Sequence, residues 1–188
     1  MRKIPTLFVR DFDARPALVL PEVTSGCEWV IAGEGKATRK WDGTCVMLDA
    51  SGEWWARREV KPGKTPPPRF AQISFDPETG KAVGWEPMAQ SSYAKIHAEA
   101  AGIHHNWPHG TYELCGPKIN GNPEGLERHT LIRHATAEQL DPDFDERTFE
   151  GVADFLRRHQ WEGLVFHHPD GRMAKIKARD FAPTKAQR

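Results

Sequence analysis

Apolar residues along this chain recur in short runs or at alternate positions, with turn-forming residues between them. That spacing predicts strands rather than long helices. Eight segments read as strands: "EWVIAGEG" (28–35), "TCVMLDA" (44–50), "EWWARREV" (53–60), "KAVGWEPM" (81–88), "GTYELCGPKI" (110–119), "TLIRHAT" (130–136), "GLVFHH" (163–168) and "RMAKIKA" (172–178). "DASGEW" and "HPDGRM" supply hairpin turns through Gly52 and Gly171, and "DPETGK" (76–81) reads as a third. Two segments carry helical spacing. In "SSYAKIHAEAAG", Tyr93, Ile96 and Ala100 share a face and Gly102 ends the run. In "DERTFEGVADFLRRH", Phe149, Val152, Ala153 and Leu156 share a face, Asp145 is the expected N-cap, and arginines stand near the C-terminus. "KPGKTPPPRF" must be a loop, because three consecutive prolines neither donate to a ladder nor continue a helix. The sum is one α+β domain, mainly antiparallel sheet with flanking helices.

Composition changes this picture little. At 188 residues, 38% hydrophobic and 28% charged, the chain is long enough to bury a core without disulfides or metals. Cys27, Cys45 and Cys115 form neither an even framework nor a Cys-x-x-Cys pair, which favours a reducing, cytoplasmic setting. "MRKIPTLFVRDFD" starts basic, but its apolar run is short and broken by Pro5, so neither signal peptide nor membrane span is expected. Net charge is zero, unlike a non-specific nucleic-acid binder. Its distribution is uneven: "RREVKPGKTPPPR" (57–69) and "KIKARDFAPTKAQR" (175–188) are basic, while "EQLDPDFDERTFE" is acidic. Two basic segments converging on a phosphate-rich ligand is one reading; solvated charge is the other.

Candidate chemistry centres on "RKWDG". A lysine amine attacks only when deprotonated, and nearby cations or partial burial favour that state. Arg39 precedes Lys40, and the turn "ASG" is expected to fold Arg57 and Arg58 back towards the Lys40 end of the preceding strand. Gly43 is expected to let the backbone bend. Further on, Glu113 sits at a strand end before a Gly-Pro turn, and Glu162 precedes another apolar strand. Lys175 and Lys177 stand two apart, so both amines leave one face of a strand. Paired ammonium groups suit a phosphate, and a nearby carboxylate suits Mg²⁺. Each feature has a plain alternative as a solvated strand end.

The ordered set "KWDG", "YELCG", "EGLVF" and "KIK" resembles motifs I, III, IV and V of the covalent nucleotidyltransferases, that is, ATP-dependent RNA and DNA ligases and mRNA-capping enzymes. "ELCGPKINGNPEG" is most similar to the RNA ligases. The resemblance implies an α+β nucleotidyltransferase (ATP-grasp-like) domain over residues 1–188, its antiparallel sheets forming a nucleotide cleft. It implies that Lys40 attacks the α-phosphate of ATP and holds AMP as a phosphoramidate. Thr38, Arg39, Asp42 and Gly43 would shape the nucleotide site around it. Glu113 would bind the ribose hydroxyls, and Arg57 or Arg58 the ribose or a phosphate. Glu162 would help place Mg²⁺ or Mn²⁺, while Lys175 and Lys177 neutralise the α-phosphate. AMP would then pass to an RNA 5′-phosphate and be displaced by a 3′-hydroxyl.

Only eleven residues follow Lys177, too few for the OB-fold domain that DNA ligases and capping enzymes usually carry, which is expected to argue against those two activities and leaves a partner protein for substrate binding as an open option. The adenine-stacking position stays open, with Leu131, Ile132 and His134 in the matching region. Two other readings stand beside RNA ligation. One is another polynucleotide nucleotidyltransferase (DNA ligase or RNA-capping or end-modifying enzyme). The other is a non-catalytic nucleotide- or RNA-binding module. The histidine-rich "GIHHNWPHG" and "FHHPDG" match no zinc spacing, and the tryptophans read as packing residues.

Overall fold

A computed structural model describes residues 4–77, 79–140, 144 and 146–182. It is a mixed α/β chain, mostly antiparallel sheet with few helices. It divides into two compact units: Ile4–Trp41 with Ala137–Arg188, and Asp42–Thr136.

In the unit formed by the chain ends, β1 (Phe8–Arg10) and β2 (Val19–Val23) pair as a ribbon, followed by the one-turn helix α1 (Glu28–Ile31). Residues 28–35 were expected as a strand; instead α1 buries Trp29 and Val30. Gly33 (φ 85°) and Gly35 (φ 69°) explain the difference, because a ladder cannot run through two residues in the left-handed region. The strand begins only at Lys36. β3 (Lys36–Lys40), β10 (Gly163–His167) and β11 (Met173–Lys177) form an antiparallel sheet with β10 in the centre. Leu164, Phe166, Ala174, Ile176 and Ala37 line its inner face. Helix α3 (Phe149–His159) covers that core with Val152, Ala153, Phe155 and Leu156. Its N-cap is Thr148, whose hydroxyl accepts from Gly151 N at 3.0 Å. The expected cap, Asp145, lies outside the described residues. Arg147, just before the cap, is buried and donates to the carbonyls of Glu34 (2.5 Å) and Gly35 (3.1 Å), satisfying the turn after α1.

The second unit is one six-stranded sheet, in the order β6 (Ala71–Asp76), β7 (Lys81–Pro87), β5 (Trp54–Val60), β4 (Thr44–Leu48), β8 (Gly110–Cys115), β9 (Thr130–Arg133). All five neighbouring pairs are antiparallel. Helix α2 (Ala94–Ala101) packs on it over Val46, Tyr112, Leu114 and Leu131. At the β4–β5 turn, Asp49 accepts from the Ser51 hydroxyl, Glu53 N and Trp55 Nε1, which pulls its carboxyl down to about 2. Trp54 and Trp55 point to opposite faces, as adjacent strand residues must: Trp54 joins the core and Trp55 turns to Asp49. The Pro-rich segment connects β5 to β6 as a loop, and β6 itself went unread in the sequence. Among the described residues, no helix is long and apolar enough to cross a membrane, and none of the three cysteines is in a disulfide.

Candidate functional site

The three-stranded sheet gathers four of the sequence-derived residues, three lysines and the carboxylate of Glu162. Register places Lys40, Gly163 and Lys177 in a row across β3, β10 and β11, with Thr38, Val165 and Lys175 in the next row on the same face. Glu162 stands at the mouth of β10, its carbonyl accepting from Ala178 N at 2.8 Å. Its Oε2 takes the Lys40 ammonium at 2.5 Å and its Oε1 the Lys177 ammonium at 2.6 Å. Glu162 is only 10% exposed, against 20% for Lys40 and 18% for Lys177. Lys175 belongs to the same group: burial pushes its ammonium below the ordinary lysine value, and the charges of Lys177 and Lys40 push further. Two ammonium groups thus pair with Glu162, and Lys175 feels the carboxylates of both Glu162 and Asp180; within the quartet, three cations stand against one anion. Such a cluster is built for a further anion.

Gly163 makes the convergence possible. A Cβ there would collide with the Ile176 carbonyl oxygen and sit 3.0 Å from Lys177 Cα. Only glycine lets β10 run this close to β11 beneath the two lysines.

Thr38 and Arg39 do not join the quartet as free donors. Thr38 is buried; its hydroxyl donates to Val165 O at 3.2 Å and lies 3.0 Å from His167 Nε2. Arg39 follows the strand alternation to the face opposite Lys40, where its guanidinium lies 3.7 Å above Trp41, 5.0 Å from Trp161 and 3.4 Å from Glu138. The cations beside Lys40 are therefore Lys175 and Lys177 rather than Arg39. The hairpin does carry Arg57 and Arg58 back towards the start of β4, as expected, since Val46 pairs with Ala56. Lys40 ends β3, whereas the hairpin partner of β5 is β4, which begins after the break at Asp42 and Gly43.

The remaining site residues lie in the Asp42–Thr136 unit. Gly43 N donates to Glu113 Oε1 at 3.2 Å, and Asp42 N to Glu124 Oε1 at 2.7 Å. Asn120 donates to Asp42 Oδ1 (2.9 Å) and Gly43 O (3.0 Å), so the "GPKINGNPEG" loop folds back onto these two residues. Gly43 is needed for closeness rather than for bending: a Cβ would meet Leu114 O, Cys115 Sγ at 2.7 Å and Glu113 Cγ at 2.9 Å. Glu113 Oε2 lies 3.0 Å from His134 Nε2. On β5, Arg57 stacks 5.4 Å from Trp85 and is held below the usual arginine value by burial. Arg58 approaches buried Glu86 only to 3.9 Å. Sequence reasoning missed Asn120 and Glu124, though the "NGNPEG" turn signal marked their loop. His134 entered only as an adenine-stacking option, and its ring is instead fixed by Glu113 and Thr111.

Neither a family model nor a curated protein matches this chain.

Proposed function

We propose that the chain is an ATP-dependent RNA ligase that works through a covalent lysyl-adenylate on Lys40. The observation that carries this reading is the convergence of Lys40, Glu162, Lys175 and Lys177 on one strand-end cluster, three ammonium groups about one carboxylate. Four motif residues spread over 137 positions of sequence would rarely meet by chance in the arrangement that phosphoryl transfer requires.

The chemistry follows from the contacts. Lys40 must lose a proton to become a nucleophile, and Glu162 Oε2 at 2.5 Å is placed to take it. The Lys40 nitrogen then bonds to the α-phosphorus of ATP, and the bond to the bridging oxygen breaks, pyrophosphate leaving with the electron pair. Lys175 and Lys177 neutralise the charge gathered on the non-bridging oxygens. An RNA 5′-phosphate oxygen next attacks the same phosphorus, and the P–N electrons return to Lys40. Attack by a 3′-hydroxyl on the activated 5′-phosphate forms the phosphodiester and expels AMP. Glu162 is the one carboxylate of the quartet, and both its oxygens already face ammonium groups. Mg²⁺ or Mn²⁺ held there would draw its other ligands from phosphate and water and would supply charge neutralisation. For Glu113 the ribose role is what the resemblance implies; its Oε1 accepts from Gly43 N at 3.2 Å.

The test is a sealing assay on 5′-phosphorylated, 3′-hydroxyl RNA, offered as a single strand and as a nicked duplex, with DNA counterparts. Joined or circular RNA and an adenylylated 5′ end are expected with ATP and Mg²⁺, both lost in Lys40→Ala. Sealing of DNA alone would move the assignment to the DNA ligases. Folded protein that neither adenylylates nor joins any strand would leave a binding module in its place.

A further inference from the structure

On the sheet of the Asp42–Thr136 unit, three side chains of different chemistry meet. Cys45 on β4 stands directly opposite Glu113 on β8, and Glu113 opposite Ile132 on β9. His134 follows two residues after Ile132, in the turn that ends β9. One ligand atom from each of Cys45, Glu113 and His134 lies within 4.8 Å of the other two. None of the three belongs to the histidine-rich stretches that first drew attention to metals.

From this geometry we propose a site for a borderline-soft divalent cation, of which Zn²⁺ is the natural occupant, with Cys45 Sγ, Glu113 Oε2 and His134 Nε2 as ligands. The orientation of each group supports it. His134 Nδ1 lies 2.9 Å from Thr111 Oγ1, a hydrogen bond that fixes the ring and leaves Nε2 for the site. Glu113 Oε1 is held by Gly43 N, which leaves Oε2 facing His134 Nε2 at 3.0 Å. A thiolate–imidazole–carboxylate set prefers Zn²⁺ or Co²⁺ to Mg²⁺. Zn–ligand bonds of about 2.0 to 2.3 Å at tetrahedral angles need ligand atoms roughly 3.3 to 3.8 Å apart. Small side-chain adjustments on fixed strands therefore suffice. Three protein ligands leave a fourth position for water, the open form of a zinc site. One thiolate and one carboxylate balance the ion, and Arg57, which couples electrostatically to Cys45 from the neighbouring strand, remains the local excess charge.

The same three residue types also make up a nucleophilic Cys–His–Glu triad, but the contacts argue against that use. In such a triad the imidazole bridges thiol and carboxylate through its two nitrogens. Here the two nitrogens go to Thr111 and Glu113, so His134 is not set to activate Cys45. The inference does not depend on the ligase reading.

The experiment is anaerobic titration of the untagged full chain with Co²⁺, without nucleotide, followed by absorption spectroscopy and by displacement with Zn²⁺. One equivalent is expected, with visible d–d bands of a low-coordinate ion and a thiolate-to-cobalt charge-transfer band. Cys45→Ser should abolish the charge-transfer band, and His134→Gln should weaken binding about tenfold or more. Cys27→Ala should keep both bands. Absence of the bands at sub-millimolar Co²⁺, or their persistence in Cys45→Ser, would overturn the proposal. Circular dichroism checks that each variant folds. Should Cys45→Ser fail to fold, an unchanged spectrum in His134→Gln would overturn it equally.

Discussion

Replacing Glu162 by glutamine removes the carboxylate that pairs with both Lys40 and Lys177, and the structure sets the size of the effect. Glu162 is nearly buried and takes ammonium groups on both oxygens, at 2.5 and 2.6 Å. Breaking a buried pair from one side costs about 3 to 5 kcal/mol, because the opposite charge is left stranded. Here the stranded lysines keep about a fifth of their surface in water, so solvent screening puts the loss at the lower end, about 3 kcal/mol. The same change turns the cluster into an uncompensated cation trap. An anion bound with a Kd of about 1 mM and supplied at about 50 mM would return roughly 2.3 kcal/mol. Urea unfolding of wild type and Glu162→Gln, followed by tryptophan fluorescence, measures both quantities in chloride and in sulfate of matched ionic strength. The expected result is a variant about 3 kcal/mol less stable in chloride that recovers most of the loss in sulfate, beyond any gain by wild type. A variant within about 0.5 kcal/mol of wild type in chloride, or one indifferent to sulfate, would refute the picture of Glu162 restraining the lysine cluster.

Three other perturbations read different parts of the structure. Gly163→Ala forces a methyl against the Ile176 carbonyl and should cost about 2 to 3 kcal/mol in urea unfolding; a neutral outcome would mean that β10 and β11 are not this close. Lys175→Met removes a half-buried cation, desolvated and repelled by two others, and should stabilise the protein near neutral pH. Because the folded state depresses this ammonium, wild type gains stability as pH rises towards 10.5, so the advantage of the variant should shrink in alkaline buffer; a constant advantage would contradict the assignment. His97, 5% exposed against Trp54, is held by burial down to about 4 from 6.5. The unfolded chain therefore binds the extra proton first, and about 3 kcal/mol present above pH 6.5 is lost as pH falls to about 4. His97→Leu should flatten that part of the stability profile; an unchanged slope would place the acid sensitivity elsewhere.

The site was more legible in the sequence than the strands that hold it. Lys175 and Lys177 could be placed on one face because alternation with Ala174 and Ile176 is a local signal, and β11 buries those two partners. β3 was invisible by the same logic: "KATRK" has one apolar residue, and its strand character comes from β10 pairing along its whole length. Missing β3 led directly to the misplacement of Arg39, since the opposite faces of Lys40 and Arg39 appear only once that strand is drawn. The helix at Glu28–Ile31 was read as a strand because short apolar runs carry no period. Gly43 and Gly163 showed the opposite limit. Their presence was plain, but the close backbone approach that requires them depends on β8, 70 positions beyond Gly43, and on the register of β11 against β10. Asn120 and Glu124 reach Asp42 across about 80 positions, a contact no local pattern announces.

The central claim is that Lys40 is a nucleophile towards the α-phosphate of ATP. Intact-mass spectrometry after incubation with ATP and Mg²⁺, beside GTP and Lys40→Ala, tests it most directly. The expected result is the gain of one AMP with ATP, none with GTP and none in the variant. Folded, unadenylylated protein that gains no mass with either nucleotide, or an adduct that survives Lys40→Ala, would contradict it.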